Sequence, residues 1–224
     1  MMTKRLSKTM TLEPEQRAPL WFVAVFAVVV VLIAEVFSRG VAVGSRVQVN
    51  QDFWLLDRAA GLVAYEVLAL SAILGVSMTS GVWDRMGLRR HVRLLHQLAT
   101  LLILPFTALH LFGLYEDTDV PFTLADLLIP GKSRVTPLAT ALGVLSLYAV
   151  VVLVVSSYLQ SLLTVRVWRT LHLLAFPMFV AVTLHGLLGG TDSRTVMGAL
   201  LYAIPLLLFF GFTLERWTAA RRRG

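Results

Sequence analysis

Apolar residues in this chain gather into six long runs, near residues 18–38, 59–80, 94–114, 137–158, 170–189 and 196–215, and the breaks between them hold most of the charge. Each run approaches the roughly 20 residues that carry a helix through the hydrocarbon of a bilayer. Backbone groups in lipid must satisfy one another, so every run predicts a helix and little chain remains for anything else. The pattern therefore predicts an all-α integral membrane protein, a six-transmembrane-helix bundle. Two connections are long. Residues 39–58 read as an outer loop of mixed character, and 115–136 contain VPFTLADLLIP, which reads either as a short amphipathic surface helix or as a loop packed on the bundle. With no internal repeat or linker, the chain divides into a leader (1–17), one six-helix domain (18–215) and a basic tail (216–224).

Composition agrees. A chain of 224 residues that is 57% hydrophobic and 15% charged, with a mean hydropathy of +0.77, has more apolar surface than one water-soluble core can hide. Lys4, Arg5, Lys8 and Arg17 precede the first run as in a secretory signal, but the run is too long for one and reads as a retained anchor. The lack of cysteine excludes disulfides, iron–sulfur clusters and covalent c-type haem. With six spans, the leader, the 81–93 and 159–169 loops and the tail share one side and hold 14 of the 20 Lys and Arg against four acids. The positive-inside rule makes that side, with both termini, cytoplasmic and the protein a multi-pass component of the plasma (inner) membrane. The +7 net charge is thus explained by topology and lipid contact, and no nucleic-acid reader motif accompanies it.

Four of the five histidines lie inside apolar runs: His96 and His110, 14 residues apart in the third, and His172 and His185, 13 apart in the fifth. At 1.5 Å per residue these spacings are about 21 and 20 Å along a helix. Both runs cross in the same direction, so His96 faces the level of His172 and His110 that of His185. An imidazole in lipid needs a partner, and two imidazoles from opposite helices can ligate haem iron on both faces. The four then serve as axial ligands of two stacked haems, His96 with His172 and His110 with His185. Helical phase is less accommodating. Fourteen residues return within about 40° of the starting face and thirteen fall about 140° short, an error that a kink or overwinding at Pro177 would reduce. The competing account is four structural histidines bonded to carbonyls or solvent. His91, in LRRHVR, faces elsewhere and reads as a solvated loop residue.

This histidine pattern on the third and fifth of six spans resembles the ferric reductase-like transmembrane domain of NADPH oxidases, ferric reductases and the haem-binding membrane subunit of the periplasmic methionine sulfoxide reductase system. The resemblance covers about residues 55–215, including LRRHVR and PFTLADLL. It implies two b-type haems and electron transfer from a cytoplasmic NAD(P)H flavoprotein or membrane quinol to an extracytoplasmic reductase, ferric iron or oxygen. An FMN or FAD is compatible with it. There are departures: the sequence has no Gly-rich nucleotide loop, and it keeps a full set of four histidines, whereas the sulfoxide reductase subunit lacks the histidine that matches His96. Service to a periplasmic reductase is thus the second reading, and a transporter or anchor with structural histidines is a third, of another class.

Among other residues, Arg58 is expected either to neutralise a propionate of the outer haem or to bridge to Asp57 or lipid headgroups, and Arg93 has a similar claim at the inner haem. Glu66, deep in the second run, reads as a proton-handling carboxyl or one bonded to a neighbouring hydroxyl. Glu35 is placed to pair with Arg39. Met178, Phe106, Phe176 and Phe179 are expected to pack in the core or along a haem edge, with no chemistry of their own.

Overall fold

A computed structural model of the chain describes residues 45–221, apart from the side chains of 219 and 220, and before them residues 21, 24, 26, 28, 30–32 and 35. The leader, most of the first run, the partner expected for Glu35 and the last residues of the tail lie outside the described residues.

The longest helix, α1 (Arg46–Ser77), begins at a capping box in which Ser45 Oγ accepts from the Gln48 amide at 3.4 Å and Gln48 Oε1 accepts from the Ser45 amide at 3.2 Å. Residues 46–58, expected in an outer loop, are therefore helical. Hydropathy marks where lipid ends, not where helix ends, and no Gly or Pro interrupts the chain between Arg46 and Ala60. Asn50 Oδ1 fixes this extension by accepting from the Thr118 amide at 2.6 Å and hydroxyl at 2.9 Å.

A tight inner connection follows, with α2 (Val82–Arg85) between Gly81 and Gly87, whose φ values of 74° and 68° favour glycine. Helix α3 (Arg89–Glu116) then runs back along α1. It starts earlier than its apolar run, so His91, expected in a loop, is helical although exposed. The segment LADLL forms the single-turn helix α4 (Leu124–Leu128), with Leu127 buried and Leu124 and Leu128 exposed. Tyr148 ties α4 to α5 (Pro137–Tyr158) by donating to the Leu128 carbonyl at 2.6 Å. The fifth run is two helices, α6 (Val165–His172) and α7 (Ala175–Gly189), and α8 (Val196–Arg221) carries helix into the expected tail.

Five helical stretches among the described residues, Arg46–Ser77, Arg89–Glu116, Pro137–Tyr158, Val165–Gly189 and Val196–Thr218, are long and apolar enough to cross a membrane. The apolar side chains they leave exposed, such as Leu70, Leu145, Val151, Leu207 and Phe210, belong in lipid, so this is a membrane-embedded, all-helical protein. The hub is α1, which packs against α3, α7 and α8 while α5 covers α7. Its core layer stacks Tyr65 on Phe179 (ring centres 6.2 Å apart, planes 11°) and Phe179 against Phe209 (4.7 Å). Met178 and Phe179 are buried in this core and Phe176 packs against it, while Phe106 packs against a smaller cluster of Val30, Ala60 and Leu109, so all four are packing residues.

At the surface, Asp126 accepts from the Thr123 hydroxyl at 2.5 Å and amide at 2.9 Å, and these bonds hold its carboxyl below the ordinary value of 3.8. A depressed carboxyl stabilises the folded cap above that ordinary value and loses its contribution as pH falls through the lower folded one. Amides of residues 124–127, followed by hydrogen exchange corrected for intrinsic pH effects, should lose protection as pH drops below 3.8; in Thr123→Val the loss should already be present at neutral pH.

Candidate functional site

The histidines of α3 meet those of the α6–α7 segment in the expected combinations. His96 and His172 have ring centres 6.4 Å apart with planes at 77°, and His110 and His185 have centres 6.1 Å apart with planes at 79°. The first pair lies at the end of the bundle that carries the 81–88 connection, the second at the opposite end.

The phase problem in the fifth run is reduced by local overwinding and by a break between two helices. Pro177 has no amide to give the Leu173 carbonyl, which instead accepts from Phe176 at 3.2 Å, and Leu174 donates to Leu171 at 3.0 Å. These are three-residue steps, which advance the helix by about 20° more per residue than an α-helix does. The break between α6 and α7 falls at Leu173 and Leu174, between the two histidines, so each half carries its own.

Three of the four imidazoles are held by one repeated device. His110 Nδ1 donates to the Asp57 carbonyl at 3.1 Å, His96 Nδ1 to the Ser71 carbonyl at 2.8 Å, and His185 Nδ1 to the Ala139 carbonyl at 2.7 Å. In each case a glycine stands four residues further along the accepting helix: Gly61, Gly75 and Gly143. A Cβ there would lie 2.9 Å from His110 Nδ1, 3.2 Å from His96 Cε1 and 2.8 Å from His185 Nδ1 respectively. The glycine admits the ring to the helix surface, and the carbonyl that it reaches is the one the glycine's own amide uses within the helix. One carbonyl thus serves two donors. At His96 the network closes further, with Ser71 Oγ 3.0 Å from Nδ1 and 2.6 Å from Thr100 Oγ1, whose hydroxyl donates to the His96 carbonyl at 2.8 Å.

His172 is held differently. It stacks on Trp168 one turn earlier, with ring centres 4.9 Å apart and planes at 22°. Its buried Nδ1, like the indole Nε1 of Trp168, has no hydrogen-bond partner.

With Nδ1 donating, the neutral imidazoles of His96, His110 and His185 carry their lone pair on Nε2, and no Nε2 of the four histidines takes a hydrogen bond among the described residues. That is the tautomer of a metal ligand whose other ring nitrogen is braced by the protein. Two imidazoles on opposite sides of one metal, each with a bond of about 2 Å and a ring centre roughly 1.1 Å beyond it, have centres about 6.2 Å apart. Both pairs match that span, so the residues fit a group ligated from two faces.

Arg58 does not turn towards Asp57. Successive helical residues diverge by about 100°, and the Arg58 guanidinium pairs with Asp192, bonds to Thr191 and lies over the Trp54 ring at 4.3 Å. Asp57 instead faces His110. Arg93 is half-buried one turn before His96 and is engaged by neighbours. The hydroxyl bond expected for Glu66 is not made by Oε1, which is buried without a partner, while the Tyr65 and Thr183 hydroxyls bond each other at 3.3 Å. Sequence reading gave Gly61, Gly75, Gly143 and Ser71 no role, placed Trp168 only at the inner membrane boundary, and gave Asp57 only as a partner for Arg58. The signal available was numerical: Gly61 and Gly75 repeat the 14-residue spacing of His96 and His110 on a neighbouring antiparallel helix.

No protein family, curated protein or solved structure matches the chain.

Glycine within a helix is ordinarily less stable than alanine by about 0.5–1 kcal/mol. Gly211→Ala, where a Cβ meets nothing within 4 Å, should therefore leave thermal unfolding in detergent unchanged or raise its midpoint. Gly61→Ala and Gly143→Ala should lower it, by an overpacking cost of about 1–3 kcal/mol. Equal behaviour of all three variants would show that the rings do not need these glycines.

Proposed function

We propose that this chain is a membrane cytochrome b that carries electrons across the plasma (inner) membrane through two b-type haems, one ligated by His96 and His172 and the other by His110 and His185. It has six spans with both termini cytoplasmic, as the charge pattern implies, and belongs with the ferric reductase-like transmembrane domains that its histidines resemble. The donor is a cytoplasmic flavoprotein or membrane quinol, and the acceptor is an extracytoplasmic reductase, ferric iron or oxygen. The observation that carries this reading is the meeting of two histidine pairs at ligand-pair separations, with Nδ1 of three rings committed to helix carbonyls.

Haem iron supplies the reversible one-electron change. The protein's own residues supply the rest. Carbonyls of Ser71, Asp57 and Ala139 fix ring orientation and tautomer, the glycines set the depth of each ring, and Trp168 steadies His172. The Tyr65, Phe179 and Phe209 layer keeps the interior dry. Arg85, Arg89 and Arg90, all exposed, and Arg93, half-buried, attract an acidic donor on the proposed cytoplasmic side.

Dithionite reduction of the purified protein should give the α band of low-spin b-type haem, and a colourless, iron-free protein would favour the transporter or anchor reading instead. His185→Ala should lower the haem content from about two per chain towards one, leaving the His96–His172 centre low-spin. A variant that retained both haems would refute the ligand assignment. Direction is tested separately: inverted vesicles supplied externally with a flavin reductase and NADPH should reduce an acceptor trapped inside, and right-side-out vesicles should not. Equal rates would reverse or abolish the assigned polarity.

A further inference from the structure

The three braced histidines share a carbonyl and a glycine but differ in the side chain on the residue that offers the carbonyl. At His185 it is the methyl of Ala139, at His96 the hydroxyl of Ser71, and at His110 the carboxylate of Asp57. Asp57 Oδ1 lies against His110 Nδ1, whose N–H also reaches the Asp57 carbonyl, and it is buried with no other hydrogen-bond partner. Its side chain is 14% exposed, so little water screens it. Nor does the adjacent cation neutralise it, since the Arg58 guanidinium pairs with Asp192. The His96–His172 pair has no such group at its Nδ1 atoms, where Ser71 is neutral and His172 Nδ1 is unpartnered.

A carboxylate behind a ligating imidazole makes it a stronger donor and favours the more positive state of the metal. We infer that Asp57 is a positioning residue that sets the reduction potential of the His110–His185 centre below that of the His96–His172 centre. The inference rests on the haem reading proposed above. Its consequence is a division of labour: electrons rest on the centre nearer the donor, and the centre nearer the acceptor is the stronger reductant.

Spectroelectrochemical titration of the α band in the purified protein tests this without turnover. The wild type should titrate in two steps, and His185→Ala should remove the lower-potential one. Asp57→Asn, which keeps the shape and removes the charge, and Asp57→Ser, which copies the group beside His96, should each raise the lower midpoint and leave the upper one in place. At the wild-type lower midpoint, where the reduced-to-oxidised ratio of that centre is by definition one, the ratio should rise above one in both variants. The inference is overturned if His185→Ala removes the higher-potential step, if the wild type shows a single midpoint, or if both variants leave the two midpoints where they were. Loss of one haem from both Asp57 variants would also overturn it, by showing that Asp57 holds the group rather than tuning it. A wild type without haem fails at the first spectrum and takes the underlying reading with it, whereas two haems with unshifted midpoints sink the role of Asp57 alone.

Discussion

An imidazole within a membrane-spanning helix is stabilised by a hydrogen-bond acceptor, and for His96, His110 and His185 the acceptor is a backbone carbonyl already in use by a helix. The second donor reaches that carbonyl only where the helix surface is stripped of its Cβ. This requirement puts Gly61, Gly75 and Gly143 where they are and brings α1 against α3 and α5 against α7. On α1 and α3 it also sets the register. The antiparallel pairs Gly61 with His110 and Gly75 with His96 keep the same offset at both ends, so one sliding position of the two helices satisfies both rings. A shift by one residue would present a Cβ to each ring and take each Nδ1 from its carbonyl.

The α6–α7 segment carries the one arrangement that departs from this scheme. A continuous α-helix from Val165 to Gly189 would put His172 and His185 on different faces. Pro177, by withholding its amide, lets the Leu173 carbonyl turn to Phe176 and the turn tighten. Relief of the phase error and the asymmetry of the His172 brace have a common origin: His172 sits at the end of α6, where α6 rather than α1 or α5 provides its neighbour, and the neighbour is the indole of Trp168.

Polar side chains at the opposite end are sorted by helix geometry. Asp57 and Arg58 are adjacent in sequence and opposite in charge, yet they do not pair. One faces α3 and meets His110; the other faces the 190–195 connection and locks it through Asp192 and Thr191. The same 100° step that separates them leaves a buried carboxylate beside a histidine and a neutralised arginine above it. Glu66, two turns deeper, has an unpartnered Oε1, for which the packing around it offers no account.

Much of the architecture was legible in the residues alone. Runs of 20 apolar residues leave a chain no alternative to helices in lipid, so the stretches after the first run appear as membrane-length helices near their expected places. The spacings of 14 and 13 brought His96 level with His172 and His110 level with His185, because rise per residue is fixed by the helix itself. Helix ends were not legible: α1 starts about three and a half turns before the apolar run, because Ser45 and Gln48 cap it regardless of where lipid stops. Partner choice was not legible either. Whether Asp57 met Arg58 or His110, whether Glu66 found a hydroxyl, and which glycines made room for rings were decided by the packing of α1 on its neighbours. Sequence states which groups require partners, and only the juxtaposition of helices far apart in the chain brings an imidazole into hydrogen-bond contact with a carbonyl beside a glycine.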